Sequence, residues 1–385
     1  MPRSDVVVVG AGLAGLSAAE GMARRGLLVV LVDRRVRVDA RVRTTGIFVR
    51  RTLEDFDLPA SCLGPPVRRV LLYSPSGRAL TLESLKDEFR VGRMGALYSR
   101  KLEECLRAGV RWLPGTSYLG AEPHRGGSRV YLERAGLREA WGARLVVGAD
   151  GARSRVARDL GLAENRQWLL GLEEVHTAPA TSRPPAFHCF LDPACAPGYI
   201  GWVVEDGESV HIGVAGHARG YEPAAALASF RARAPGLGAL APGRPLERRG
   251  GLIPVGGVLD RIGCARGLLV GDAAGAVSPL TAGGLDACLR LSRYAADVAQ
   301  AHLSGHPNAL EAYAGERFRS RLVSRLALRR ALDWGGRSAL LLEAACAVLR
   351  TPPLALVARH VFFGRGSFPL PAPPAPAEGA LRLWG

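Results

Sequence analysis

The stretch DVVVVGAGLAGLSAAEGMARRGLLVVLVD, from Asp5 to Asp33, constrains the fold of this 385-residue chain more than any other. Val6 to Val9 form a continuous β-branched run, the pattern of a strand buried on both faces of a parallel sheet. Gly10, Gly12 and Gly15 follow in G-x-G-x-x-G spacing. Residues from Leu13 to Arg25 read as a helix with small residues toward the sheet, and Leu27 to Val32 as a second strand ending at Asp33. Gly10 permits the tight turn, Gly12 lets the backbone approach a pyrophosphate, and Gly15 lets the helix pack close to the strand. The helix N-terminus offers unpaired N–H groups and a positive dipole end to phosphate. Asp33 stands where a carboxylate accepts hydrogen bonds from a ribose. The stretch predicts a dinucleotide-binding βαβ unit of an α/β, Rossmann-like domain. It does not read as a signal peptide, because Arg3 alone supplies positive charge ahead of the apolar run.

Two later segments repeat the strand-then-Gly-Asp design. ARLVVGADGARSRVARDLG, Ala143 to Gly161, is an apolar strand that ends in Gly-Ala-Asp-Gly before a basic helix start. GLLVGDAAGAVSPLTAGGLDA, Gly267 to Ala287, is an apolar strand that ends in Gly271-Asp272, followed by Pro279 and Gly283-Gly284. Net charge is +16, and every basic Lys or Arg other than Lys86 and Lys101 is arginine. Such a balance attracts anionic membranes, anionic small molecules or nucleic acid. The arginines are spread along the chain and no common nucleic-acid motif accompanies them, so no nucleic-acid partner is expected. Seven scattered cysteines without a CxxC pair indicate neither a disulfide framework nor a metal site, which suits a reducing cytosol.

The three motifs, in this order, resemble the flavoproteins that share the p-hydroxybenzoate hydroxylase fold, over roughly residues 1 to 300. GDAAGAVSPLTAGG, GADGARSRVARDLG and GYIGWVVEDGESVHIGVAG (Gly198 to Gly216) resemble the geranylgeranyl reductase branch of that superfamily. Aromatic hydroxylases usually carry His where this chain has Gly275. The resemblance implies FAD as cofactor, with NAD(P)H or another reductant as electron donor. It carries cofactor contacts to Gly10, Gly12, Leu13, Ala14 and Gly15, to Asp33 and Arg34, and to Arg41, Thr45 and Gly46. It extends them to Arg93, with Arg100 as the alternative, and to Gly271, Asp272, Pro279, Gly283, Gly284 and Leu285. Asp150 is expected to be structural. Tyr199, Trp202 and His188 are assigned to the substrate pocket. The sequence departs from the branch in three places. Thr45-Gly46 stands where archaeal reductases have Cys-Gly, the proline expected after the Trp strand is replaced by Val203-Val204-Glu205, and Ala282-Gly283-Gly284 replaces Gly-Glu-Gly.

The expected organisation is a discontinuous FAD-binding domain (1–66, 93–164 and 256–300) and an antiparallel-sheet substrate domain (67–92 and 165–255). A C-terminal helical region (301–367) and a Pro/Ala-rich tail (368–385) follow. Strands are expected at Trp168–Val175, Phe187–Leu191, Tyr199–Glu205, Ser209–Ala215 and Leu246–Ile253. His188, Cys189, His211 and His217 are the candidate proton donors of that sheet, each with an ordinary packing role as the alternative. Arg317 to Leu332 reads as a basic amphipathic helix, suited either to an anionic membrane or to packing with its arginines in water. The function implied is FAD-dependent reduction of C=C bonds in an isoprenoid-type lipid. An NAD(P)H-dependent monooxygenase of a small hydrophobic molecule is the alternative, and a non-enzymatic flavin-binding protein a third. A cytoplasmic protein with possible peripheral membrane contact is expected.

Overall fold

The computed structural model describes residues 1–179, 184–233, 243–318, 323–364 and 368. The chain opens with β1 (Arg3–Val9), α1 (Leu13–Ala23) and β2 (Val29–Asp33). Next come β3 (Ile47–Val49), α2 (Arg50–Asp55), β4 (Leu63–Val67), β5 (Arg69–Tyr73), β6 (Ala79–Glu83) and β7 (Phe89–Gly92). They are followed by α3 (Met94–Arg107), β8 (Arg111–Pro114), β9 (Thr116–His124), β10 (Gly127–Arg134), β11 (Leu137–Gly148) and α4 (Arg155–Asp159). The middle of the chain supplies β12 (Trp168–Thr177), β13 (Ala186–Phe190), β14 (Gly201–Glu205), β15 (Ser209–His217), α5 (Pro223–Arg233) and β16 (Glu247–Pro254). The last described elements are β17 (Gly263–Cys264), β18 (Gly267–Leu269), α6 (Leu285–Leu303), α7 (Val323–Gly335), α8 (Ala339–Leu349) and α9 (Pro352–Phe363).

The first sheet has the order β17-β18-β11-β1-β2-β8, parallel from β18 to β8, with the β9–β10 hairpin extending β11. Val6, Val7 and Val8 of its central strand are fully buried, which accounts for the unbroken β-branched run. The nucleotide-loop glycines are sterically required. Gly10 has φ +104, and a Cβ there would lie 2.3 Å from the Ala149 carbonyl oxygen. A Cβ on Gly15 would lie 1.7 Å from the Gly10 carbonyl oxygen, so α1 can rest on β1 only with glycine at that point. Helix α6 then packs beside α1, with Gly21 against Ala296 and the Ser292 hydroxyl donating to the Ala14 carbonyl at 3.1 Å.

The second sheet has the order β16-β12-β15-β14-β13-β5-β6 and is antiparallel except where β13 pairs with β5. One face buries Val203, Ile212 and Val214 against Ala226, Leu227 and Phe230 of α5. The opposite face presents Gly171, Glu173, Trp202 and Arg249 to a cavity shared with the first sheet. A small third sheet, β3-β7-β4, lies at the junction. Residues 89–92 therefore pair with 47–49 and 63–67, and from the segment 67–92 only the β5–β6 hairpin joins the second sheet.

The C-terminal region is helical, with α8 and α9 bent by 104° to one another. The basic helix expected from Arg317 begins, within the described residues, at Val323, after a 3-10 turn at Gly315–Phe318. Arg321 and Leu322 lie outside the described residues, as does the expected tail apart from Phe368, which stacks on Phe318.

Gly15→Ala forces α1 away from β1 and is expected to cost about 1–3 kcal/mol, the range for overpacking a filled interior. Thermal unfolding together with FAD retained per chain, read from visible absorbance, checks this. An unchanged melting temperature with full FAD content contradicts the assigned packing role.

Candidate functional site

A single cavity of about 1930 Å³ lies between the two sheets and the C-terminal helices. Ligand pockets commonly measure about 300–1,000 Å³, so this one has room for a dinucleotide and a long substrate together. Gly10, Gly12, Leu13, Ala14, Asp33, Arg34, Arg41, Thr45, Gly46, Gly271, Asp272, Gly283, Gly284 and Leu285 line it, with Tyr199 and Trp202 on the second sheet. Gly15 lies beneath this surface, where its role is packing. Arg93, Arg100, Pro279 and His188 are not among the lining residues. The Arg93 guanidinium is held by Glu208 at 3.2 Å and the Ser61 carbonyl at 3.1 Å. Arg100 pairs with Glu103 and Glu104 on its own helix. Pro279 packs beside Gly257, and His188 bonds through Nδ1 with the Tyr73 hydroxyl at 3.0 Å.

Two helix N-termini open into the cavity without a capping side chain: α1 at Gly12 and α6 at Gly284. Their first N–H groups have no intrahelical acceptor, so each offers donors and a positive dipole end to an anionic group. A Cβ on Gly12 would meet nothing within 4 Å, so the space above this loop is open to a ligand. These features fit a bound dinucleotide. Asp33 binds the loop itself: it accepts from the Ala11 N–H at 2.7 Å and from the Arg35 N–H, Nε and NH2 at 2.8, 3.1 and 2.9 Å. Burial alone would raise its pKa, but the Arg35 and Ala11 bonds outweigh that and hold it low. Both Asp33 carboxylate oxygens are thus engaged by Arg35, so any ligand hydroxyl bound there would share them.

Asp272 opens onto the cavity deep in the protein, and desolvation there raises its carboxyl to about 6. Its carbonyl accepts from Asn165 Nδ2 at 2.8 Å, and the same amide donates to the Ala152 carbonyl at 3.1 Å. Asn165 thus ties the middle motif to the late one. Asp150 accepts from the Ser154 hydroxyl at 2.6 Å and from the Arg155 and Val156 N–H groups, holding the start of α4. Gly275 has φ +67, and a Cβ there would lie 2.4 Å from the Gly257 carbonyl oxygen, so the local backbone excludes a histidine. Ala282 also takes a left-handed φ, +51, next to Thr281, whose carbonyl accepts the Tyr199 hydroxyl at 2.6 Å. A left-handed non-glycine residue costs about 1–3 kcal/mol and concentrates at ligand sites.

The second sheet contributes a buried ionic cluster of which the sequence reading named His211, Trp202 and Thr45 but not Glu173, Asp206 or Arg249. Cross-strand register sets Glu173 opposite Gly213, which in turn faces Trp202. A Cβ on Gly213 would lie 2.1 Å from the Trp202 ring, so glycine there lets the indole lie across the strand. Trp202 Nε1 then donates to Glu173 Oε2 at 3.0 Å, and the Thr45 hydroxyl donates to the same oxygen. His211 Nδ1 meets Glu173 Oε1 at 3.2 Å, and His211 Nε2 meets Asp206 Oδ2 at 3.2 Å. Arg249 stands 3.7 Å from Glu173 and donates to the Thr44 carbonyl at 3.2 Å. Burial alone would lower His211, but the two carboxylates push it up to about 9, so it is an imidazolium at neutral pH. Burial likewise would raise Glu173 and Asp206, and the His211 bonds bring both below the ordinary carboxylate range. The paired acids Glu173-Glu174 inside an otherwise apolar strand were the available signal. Of the other proton-donor candidates, Cys189 is fully buried and His217 pairs with Asp333 at 2.9 Å.

The parallel sheet, the glycine cradle and the two converging helix starts define a protein with a Rossmann-like dinucleotide-binding domain. The sequence profile described as "NAD(P)-binding Rossmann-like domain" matches residues 8–71. Digeranylgeranylglycerophospholipid reductase 1 of Methanopyrus kandleri is 30% identical over 77% of this chain and 80% of its own. Geranylgeranyl diphosphate reductase of Rhodobacter capsulatus is 30% identical over 79% of this chain and 77% of its own. A geranylgeranyl bacteriochlorophyll reductase-like structure from Thermoplasma acidophilum superposes with a TM-score of 0.76 at 22% identity, covering 94% of this chain and 100% of its own. The chain belongs to the geranylgeranyl reductase family of FAD-dependent oxidoreductases.

The ionic cluster makes stability pH-dependent with a definite sign. His211 is raised from 6.5 to about 9, so its contribution is complete below pH 6.5 and is lost as pH rises through 9. Glu173 and Asp206 are lowered, so theirs is complete above the ordinary carboxylate range and lost as pH falls through their depressed values. The melting temperature is expected to fall from pH 6.5 to 9.5, and His211→Asn should flatten that fall. Equal alkaline slopes for both proteins, measured by circular dichroism, rule the cluster out as the cause.

Proposed function

We propose that this protein reduces C=C bonds of a prenyl lipid drawn from a membrane surface, with NAD(P)H as the source of electrons. The observation that carries the reading is continuity: the cavity that begins at the nucleotide cradle ends against the C-terminal helices. There Leu328, Leu332, Leu349, Val357, Ala358, Val361, Phe362 and Phe363 join Phe187, Leu191 and Ile200 in its wall. An isoprenoid chain presents almost nothing to hydrogen-bond, so its affinity comes from burial, about 0.8 kcal/mol per CH₂. The relatives named for geranylgeranyl substrates support the same class. Gly10, Gly12, Gly271, Asp272, Gly283 and Gly284 would hold FAD, which when bound and reduced supplies the hydride.

The protein's own residues bind, orient and shield. Trp202 is fixed by Glu173 and Gly213, and Tyr199 by the Thr281 carbonyl. Both hold aromatic surface against the chamber in one orientation. The apolar residues of the C-terminal helices shield the lipid chain from water at their end of the chamber.

The same helices carry apolar side chains on their outer face. Trp334 is 84% exposed and Leu340 83%, with Leu341, Val348 and Leu356 also exposed. Arg330, Arg337 and Arg350 lie among them in sequence. No single helix among the described residues is long and apolar enough to cross a membrane. An apolar face with interspersed arginines is the composition of a surface-lying element. A cytoplasmic location at an anionic membrane surface is part of this proposal.

Anaerobic incubation of dithionite-reduced holoenzyme with geranylgeranyl diphosphate and a digeranylgeranyl glycerophospholipid should yield products heavier by two hydrogens per reduced bond, read by mass spectrometry. An unchanged mass for both lipids overturns the reading. For the membrane contact, Trp334→Ser with Leu340→Ser and Leu356→Ser should weaken binding to phosphatidylglycerol vesicles, read by co-sedimentation, by at least about tenfold, since full burial of even one such side chain contributes about 1.5–3 kcal/mol and about 1.4 kcal/mol is tenfold. Undiminished sedimentation of the triple variant excludes this face.

A further inference from the structure

We propose that Thr45, Glu173, His211 and Asp206 form a proton relay from the β14–β15 turn to the cavity, supplying the proton that C=C reduction needs beside the hydride. The inference rests on the reductase reading above. Thr45 and Glu173 line the cavity. The Thr45 hydroxyl and Trp202 Nε1 both donate to Glu173 Oε2, and His211 bridges the other oxygen to Asp206 with 3.2 Å on each side. Asp206 accepts from the Glu208 and Ser209 N–H groups at 2.9 and 2.6 Å, in a turn where Gly207 and Glu208 meet solvent. The chain of contacts therefore runs from the Asp206 carboxylate, buried beneath an exposed turn, to a hydroxyl on the cavity wall. The charged groups around it are Arg249 on β16, 3.7 Å from Glu173 and paired with Glu247, and Arg93 at the start of α3, paired with Glu208.

A structural ionic cluster needs no such continuity. Burying two carboxylates and an imidazolium is costly, and an apolar trio of similar volume often packs at least as stably. What the apolar trio lacks is a movable proton. Reduction of an alkene adds one hydride, with two electrons, and one proton. The π pair takes the proton to form one C–H bond, and the hydride pair forms the other. Thr45 Oγ1 gives its proton to the substrate carbon and recovers one from the Glu173 carboxyl. Glu173 receives that proton from His211 Nδ1, and a half-turn of its carboxyl carries it from the His211 side to the Thr45 side. His211 is left neutral with its proton on Nε2; the ring turns over so that its bare nitrogen faces Asp206, where it takes a proton passed from water through the Asp206 carboxyl, and the relay returns to its starting state with one solvent proton consumed. Thr45 is the residue that touches substrate, and Glu173, His211 and Asp206 act through it.

The test uses FAD-loaded wild type, Thr45→Val, Thr45→Ser and Glu173→Gln, reduced with dithionite and mixed anaerobically with geranylgeranyl diphosphate. Single-turnover reoxidation in the wild type should decline as pH passes about 9, where His211 loses its proton. Thr45→Val and Glu173→Gln should be slower by about a hundredfold per bound FAD, with the inflection lost. Thr45→Ser should recover to within about threefold of wild type. Wild-type rates and pH profile in both Thr45→Val and Glu173→Gln overturn the relay and leave the reductase reading standing. A wild type that reduces no lipid overturns the reading and the relay's role with it. As a readout independent of turnover, ¹⁵N resonances of His211 should report an imidazolium at pH 7.5 in the holoenzyme; a neutral ring there overturns the relay.

Discussion

The contact between Gly15 and the Gly10 carbonyl is the constraint on which the rest of the site depends. It lets α1 lie on β1, and so aims the start of α1 at the space above the sheet. Helix α6 is then registered on α1 through close contacts, Gly21 against Ala296 and the Ser292 hydroxyl on the Ala14 carbonyl, and the turn after β18 is set on α1 by Gly271 against Ala14. The ion pair of Arg25 with Asp297 at 2.6 Å secures the far end of the same pair. The two uncapped helix starts therefore converge on one cavity although they are about 270 residues apart in the chain, and their converging dipoles stabilise negative charge between them.

Charge is graded along the cavity. Arg34, Arg35, Arg37, Arg41, Arg43, Arg153 and Arg155 line the nucleotide end, and the far end is walled by aliphatic and aromatic side chains of α8 and α9. Several of these arginines are already engaged, Arg35 with Asp33 and Arg37 with Asp39. The net charge of +16 is thus a property of the whole surface, and anion recognition falls to backbone N–H groups at the helix starts together with the arginines that remain accessible. One cavity can then hold a polar dinucleotide and an apolar chain without either crossing the other's surroundings.

What could be read from sequence was what is encoded locally. A glycine spacing, a β-branched run and an acid at a strand end fix a βαβ unit within thirty or so residues, and they did so here at Gly10, Gly12, Gly15 and Asp33. The Glu173 cluster is encoded by register instead. Its members come from β12, β15, the β14–β15 turn and the loop before β3, and they meet because Glu173 pairs opposite Gly213 and Gly213 opposite Trp202. No spacing in the chain announces that. Arg93 shows the converse: its place before a helix resembled a cofactor contact, but Glu208 and the Ser61 carbonyl hold its guanidinium elsewhere. The small third sheet was invisible for a related reason, because β7 follows the β5–β6 hairpin in sequence yet pairs with strands on the other side of it.

Thr45 connects these two kinds of encoding. Its loop is held from the second sheet twice, by Arg249 on the Thr44 carbonyl and by Glu173 on the Thr45 hydroxyl, and it is followed by Gly46 with φ +88 packed under Met94. A thiol at this position would be a weaker donor to a carboxylate than a hydroxyl is. The threonine that departs from the family pattern is therefore matched to the buried carboxylate it faces. The exchange has a physical consequence beyond the loop: a neutral hydroxyl that both donates and accepts gives the buried Glu173 carboxylate a partner at the cavity wall without adding a further charge there.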